Sequence, residues 1–181
     1  HSSELIMRTP GILAIHATPA ANSLHYIFGA SGDDTTRKLA LLQAVGWQPM
    51  YRQRIKSPKP LTIDELQGET PTGTGEEAVG EIFAAVDGDR ALAAAKTTAY
   101  LERGGSTKSI FDAARRMIFH KGTGSHDYKY GAAIWEECVA ATDPKWQPRL
   151  AAAAMFNLPG AGKADSPLMI RARDAVANVM G

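Results

Sequence analysis

Five histidines, a lysine set between two tyrosines and a single cysteine are the side chains of this 181-residue chain best equipped to bind a metal or attack a substrate. The histidines are His1, His16, His25, His120 and His126. Imidazole is the commonest neutral metal ligand, and a metal site needs three or four such groups converging from different elements. His16 sits among Ile12, Ile15, Ala20 and Ile27, which points it inward, as a hydrogen-bonded core histidine in the plain reading and as a ligand in the chemical one. His25, beside Tyr26 near a helix end, reads as a surface or capping residue. Nine residues separate His16 from His25, which places them on opposite faces of a continuous helix. They share one metal only if Pro19 reorients the segment between them.

His120 and His126 flank the glycine-rich turn Gly122 to Ser125, one closing a helix and the other opening the next. A histidine at a helix C-terminus complements the dipole, so His120 has an ordinary role, whereas a helix N-terminus disfavours the cation and suits His126 to bind metal. Lys129 follows one turn on, within Ser125-His126-Asp127-Tyr128-Lys129-Tyr130. Two readings stand for it: a lysine snorkelling past the tyrosines to water, or a buried neutral amine that captures carbon dioxide as a metal-binding carbamate. Glu137 shares the His126 face but lies about 16 Å away at 1.5 Å per residue, so it and Glu136 read as salt-bridging or solvated groups. Cys138, next to Val139 and Ala140, reads as packing.

Composition excludes several classes. Twenty Lys+Arg against 19 Asp+Glu give a net charge of +1, which argues against a broad basic nucleic-acid surface. A hydrophobic content of 44% without long one-sign charge runs argues against disorder. One cysteine can build neither an internal disulfide nor a thiolate zinc site, and a reducing compartment, the cytoplasm by default, is the expectation. The chain opens at His1 rather than at a methionine, so a removed leader or N-terminal portion stays open. No apolar run approaches the ~20 residues that span a bilayer. No nucleotide cofactor is evident. Gly160-Ala161-Gly162-Lys163 lacks the earlier glycine and the following Ser or Thr of a phosphate loop, and Thr72-Gly73-Thr74-Gly75 fails likewise. The absence of a dinucleotide fingerprint leaves a flavin or nicotinamide enzyme as the weakest reading.

The elements that must position these residues read as helical throughout, because alanine is abundant and β-branched runs are nearly absent. The expectation is an all-α, single compact domain over 1–181 with about seven to eight helices. Helices are expected at 12–28, with Pro19 kinking or restarting the segment and Thr18 as N-cap, and from Asp33 or Asp34 to about Gln48, where Pro49 stops or kinks the chain. Further helices are expected at 76–86, 91–102, 106–120, 127–141, 146–157 and 167–179. A Pro/Gly/Thr-rich loop fills 56–74, with one helical turn at 63–67. Trp47, Trp135 and Trp146 fall in apolar patterns and are expected in the core. An aromatic-lined pocket for a flat substrate is compatible with this composition.

Two stretches together resemble the questin oxidase-like family. The first is Ala14-Ile15-His16-Ala17-Thr18 through Ser23-Leu24, followed by Leu41-Leu42-Gln43-Ala44-Val45-Gly46-Trp47. The second is His126-Asp127-Tyr128-Lys129 with Ala133 and Glu136, then Leu150-Ala151-Ala152-Ala153. The likeness spans about residues 11–157, corresponding to the C-terminal portion of the family's longer chains. Tyr128 replaces a more usual aliphatic residue, and Pro19 departs from the first helix's pattern. The resemblance implies a non-haem iron oxygenase acting with dioxygen on an aromatic or quinone-like substrate. It further implies His16 and His126 as iron ligands and Lys129 as a carbamate ligand. The family's other histidines lie in a portion this chain lacks, leaving His1 or His120, a partner polypeptide or a second copy to complete the set. The rival expectation is a non-catalytic helical binding or scaffolding subunit, motivated by that incomplete ligand set.

Overall fold

The computed structural model describes residues 1–55 and 62–180; the expected loop residues 56–61, with Pro58 and Pro60, lie outside the described residues. Among the described residues there are nine α-helices and one 3-10 turn, and no strand. The protein is all-α. The helices are α1 (Ser2–Arg8), α2 (Ile12–Ala30), α3 (Asp34–Arg54), α4 (Gly75–Ala85), α5 (Arg90–Glu102), α6 (Thr107–Lys121), α7 (Ser125–Ala140), α8 (Trp146–Ala154) and α9 (Pro167–Met180), with the turn at Ile63–Glu65.

Several starts follow from short polar side chains that occupy orphan backbone N–H groups. Asp33 accepts from the Thr36 amide at 2.7 Å, Asp89 from Ala91 and Leu92 at 2.9 and 3.0 Å, and Ser106 from Ser109 at 3.1 Å. Of the expected alternatives, a kink or a break, neither proline makes the break. α2 runs unbroken through Pro19, and α3 continues past Pro49 to Arg54. Thr18 does not cap a new helix; its hydroxyl is buried within α2 and finds no hydrogen-bond partner among the described residues. Each proline costs one ladder bond, and both helices continue through it because tertiary packing outweighs that local loss.

The core centres on α8. Ala151, Ala152, Ala153 and Ala154 are all fully buried, and α1, α5, α6 and α7 pack around this helix. Small side chains let the neighbouring backbones come close, and larger groups fill the flanks: Ile82 and Phe83 from α4, Phe111 from α6, Tyr130 and Ile134 from α7, and Leu5 and Ile6 from α1. Arg90, half-buried at the start of α5, donates through Nη1 to the carbonyls of Met155 (2.8 Å) and Leu158 (3.1 Å), satisfying acceptors just beyond the end of α8.

The tryptophans depart from expectation. Trp135 is half-buried, with Phe111 at 5.1 Å and the Arg115 guanidinium 5.4 Å from its ring centre. Trp47 and Trp146 are exposed, the latter lying under Lys145 and Arg149. Stems of long basic side chains cover indole faces well, so an aromatic in an apolar pattern can sit at the surface without being bare.

A core built on alanine has no room to grow. Ala152→Leu is expected to destabilise the fold by about 1–3 kcal/mol through overpacking. Urea unfolding of the two proteins checks it, and a variant as stable as the parent would contradict this account of the core.

Candidate functional site

α2 and α7 pack side by side, and their seam brings His16 and His126 together. The two Nε2 atoms lie 3.3 Å apart, with ring centres 4.9 Å apart and planes at 80°. The His16 Nδ1 is 2.7 Å from the Ile12 carbonyl, which can only accept. Nδ1 therefore donates, and the neutral His16 ring presents its lone pair at Nε2, toward His126. His126 is held by its own helix start. The Asp127 carboxylate accepts from the Thr123 (2.9 Å) and Gly124 (3.3 Å) amides, closing the turn that delivers the histidine. His16 is exposed rather than directed into the core, and His126 is half-buried. The apolar neighbours of His16 face elsewhere: Ala14 and Ala17 take the buried positions of that turn.

Lys129 is exposed. Of its two readings, the buried amine is not the one found: Tyr130 is fully buried while Tyr128 turns to Phe119 at 5.8 Å, leaving the lysine at the surface between them. Burial, the usual means of favouring a neutral lysine amine, is absent there. His120 and His1 do not join the pair. His120 Nδ1 accepts from Arg173 of α9 at 3.3 Å, and His1 lies 3.8 Å from Glu4. Among the described residues, no three His, Cys, Asp or Glu side chains come together as a metal-holding group.

At the other end of the seam, Glu137 Oε1 meets Asn22 Nδ2 at 3.3 Å and His25 Nδ1 at 3.4 Å. His16 and His25 thus both reach α7, one near each end, although nine-residue spacing places them on opposite faces of a regular helix. Pro19 lies between them. They do not share a site.

The opposite side of α7 lines a cavity of about 300 Å³ against α6. Phe111 and Trp135 stand together, as do Phe119 and Tyr128, with Ala114 and Gly131 also in the lining. Gly131 lets the helices come close there: a Cβ would stand 2.6 Å from Ile118 Cδ1, so the tip of that isoleucine would have to move. This aromatic-lined space faces α6, whereas the histidine pair faces α2.

Both glycine-rich turns are filled by the chain's own carboxylates. Glu81 accepts from Thr72 Oγ1 (2.7 Å), Lys96 Nζ (2.9 Å), and the Gly73 (2.6 Å) and Thr72 (3.1 Å) amides. Asp87 accepts from the Gly162 amide at 2.7 Å. The Thr72 hydroxyl, the Lys96 ammonium and the two amides hold the Glu81 carboxyl down to about 2. Sequence reasoning missed Glu81, Asp87 and Asp127 as organising residues. Asp127 carried a local signal, three residues beyond Gly124 at a helix start; Glu81 and Asp87 act on loops the sequence does not connect to them. Burial pushes the Cys138 thiol up to about 12, and its sulfur packs 3.9 Å from the Gln147 carbonyl.

Compared with protein-family models, with curated proteins and with solved structures, the chain gives no match in any of the three.

Two outcomes follow from the carboxylate and the thiol. Glu81 has a folded value depressed from 4.5 to about 2, so its stabilising contribution is present above about pH 4.5 and is lost as pH falls through about 2. Glu81→Gln is expected to lower the melting temperature at neutral pH and to flatten the decline between those limits. An identical acid profile in the variant would contradict the assignment. Cys138, protonated and enclosed, is expected to resist Ellman's reagent at pH 8 until the protein unfolds; rapid native labelling would contradict its placement.

Proposed function

We propose that the α2–α7 seam is a metal-binding site, with His16 and His126 as two of the ligands, in an all-helical non-haem iron oxygenase. The observation that carries this reading is the facing Nε2 pair. Two imidazoles bound to one ion at about 2.0–2.1 Å place their nitrogens about 2.9 Å apart at a right angle and about 3.3 Å apart at a tetrahedral one, so a small ring movement from the 3.3 Å seen here admits either. The Nδ1–Ile12 bond supports it further, because a partner on the remote nitrogen is the usual device for fixing a ligating histidine.

The two histidines fit a metal as half of a ligand set. A carbamate on Lys129, one turn beyond His126 and exposed, is the third donor that the questin oxidase-like resemblance implies; nothing in the packing around this lysine adds to it. When bound, iron with open coordination positions would supply dioxygen activation. This chain's own contribution is to fix the His16 ring through Ile12 and to hold the His126 turn through Asp127. The aromatic or quinone-like substrate rests on the questin oxidase-like resemblance, as does completion of the site by another chain or a second copy.

A second reading is a helical binding subunit without chemistry. It is favoured by the lack of a third His, Cys, Asp or Glu at the pair among the described residues, and the rings then make a hydrogen bond from His126 Nε2–H to His16 Nε2.

Anaerobic titration with Fe(II), followed by metal analysis after gel filtration, separates the two. About one bound ion per chain is expected in the parent. His16→Ala and His126→Ala are each expected to lose it while keeping the helical circular dichroism. A parent that takes up no iron leaves the binding-subunit reading, and normal loading in Lys129→Ala removes the carbamate.

A further inference from the structure

The slot between α6 and α7 carries charges for which the histidine pair has no use. The two helices run antiparallel, since Phe111 meets Trp135 and Phe119 meets Tyr128. Eight positions separate the two phenylalanines and seven the two rings of α7. The aromatic pairs therefore stand about 10–12 Å apart along the helices at 1.5 Å per residue. Between them the wall includes Ala114 and Gly131, too small to fill the gap. The apolar space of about 300 Å³ that results is at the lower end of the range that holds a small organic ligand.

Two groups of opposite charge line this same slot, Arg115 from α6 and Glu136 from α7. Side chains lean toward the N-terminus of their helix. Arg115 does so: its guanidinium reaches Asp112 through Nη2 and stands 5.4 Å from the ring centre of Trp135. Glu136 follows Trp135 directly, so both charges stand beside that indole, at one end of the slot. A guanidinium has five N–H groups, and the Asp112 contact leaves donors of Arg115 free for a second acceptor. Glu136 makes no ion pair or hydrogen bond among the described residues. The positions one turn away on its own helix, Ala132, Ala133, Val139 and Ala140, offer it no cation.

We infer that this slot binds an aromatic α-amino acid. Its ring lies between the two aromatic pairs, its carboxylate meets Arg115 and its ammonium meets Glu136. Such a zwitterion carries both charges at one end of an apolar body, the pattern that the lining presents in complement. An aromatic acid without the amine brings its charge toward Glu136 with nothing to offset it, and an aromatic amine does the same toward Arg115. The ring gains tilted or offset contacts with the aromatic side chains at the usual 4.5–7 Å. The site lies on the side of α7 away from His16 and His126, and it stands whether or not that pair holds a metal.

Isothermal titration calorimetry of the metal-free parent tests this with L-tryptophan, tryptamine and indolepropionate, three ligands that share a ring and differ in charge. Tryptophan is expected to bind one per chain with a dissociation constant of about 1 mM or tighter. Each single-charge analogue is expected to bind about tenfold more weakly. Arg115→Gln is expected to remove the preference for tryptophan over tryptamine, and Glu136→Gln the preference for tryptophan over indolepropionate. Both positions are exposed, so helical circular dichroism is expected to stay at the parent value. No saturation by tryptophan up to about 10 mM, equal affinity for all three ligands, or preferences that survive both substitutions would each overturn the inference.

Discussion

Ala151 to Ala154 sit with no exposed surface at the crossing of α1, α5, α6 and α7, and their size governs how closely those four helices approach α8. A helix faced with leucine holds its neighbours at ordinary interaxial distances; one faced with alanine lets them approach until backbone nearly meets backbone. That closeness brings the chain beyond α8 to the Arg90 guanidinium, which takes up the Met155 and Leu158 carbonyls. A half-buried cation bonding two carbonyls stabilises the end of α8 in a way that apolar packing alone does not. α7 rests on this same helix, so the position of His126 depends on four methyl groups that touch no ligand.

The same economy governs the loops. Glycine-rich turns expose backbone amides that favour an anion. Here Glu81 fills the turn at Thr72 and Gly73, and Asp87 meets the amide of Gly162. Asp127 does so for the turn between α6 and α7. These carboxylates are structural, and none of the three stands between the facing rings of His16 and His126. Among the described residues, Tyr130 of α7 and Thr18 of α2 carry buried hydroxyls without a hydrogen-bond partner.

Helix periodicity was legible in the sequence because alanine, leucine and capping residues all agree with it; α4 to α9 fall within a few residues of expectation. α1 was missed, since seven residues at a chain end carry too little period to recognise. Neither proline breaks its helix, because the proline penalty is local while packing is not, and α3 runs six residues past Gln48, where a stop was one of the two expected outcomes. The pairing of His16 with His126 was implied by the questin oxidase-like resemblance, while the apolar neighbours of His16 in sequence placed it inward, because such a neighbourhood does not say which side of the helix is covered. Trp47 failed for the same reason. The pairing of the two histidines, 110 residues apart, depends on how α2 crosses α7, and no local pattern encodes that.

The central claim concerns two nitrogen atoms. Long-range proton–nitrogen correlation NMR of the histidine side chains, with and without Zn(II) as a diamagnetic stand-in for iron, reads both directly. Zinc is expected to shift Nε2 of His16 and of His126 in step, toward the metal-bound range, while His16 keeps its proton on Nδ1. Spectra unchanged by zinc, with a proton retained on His126 Nε2 and shared with His16, would contradict the metal site and leave a ring-to-ring hydrogen bond in its place.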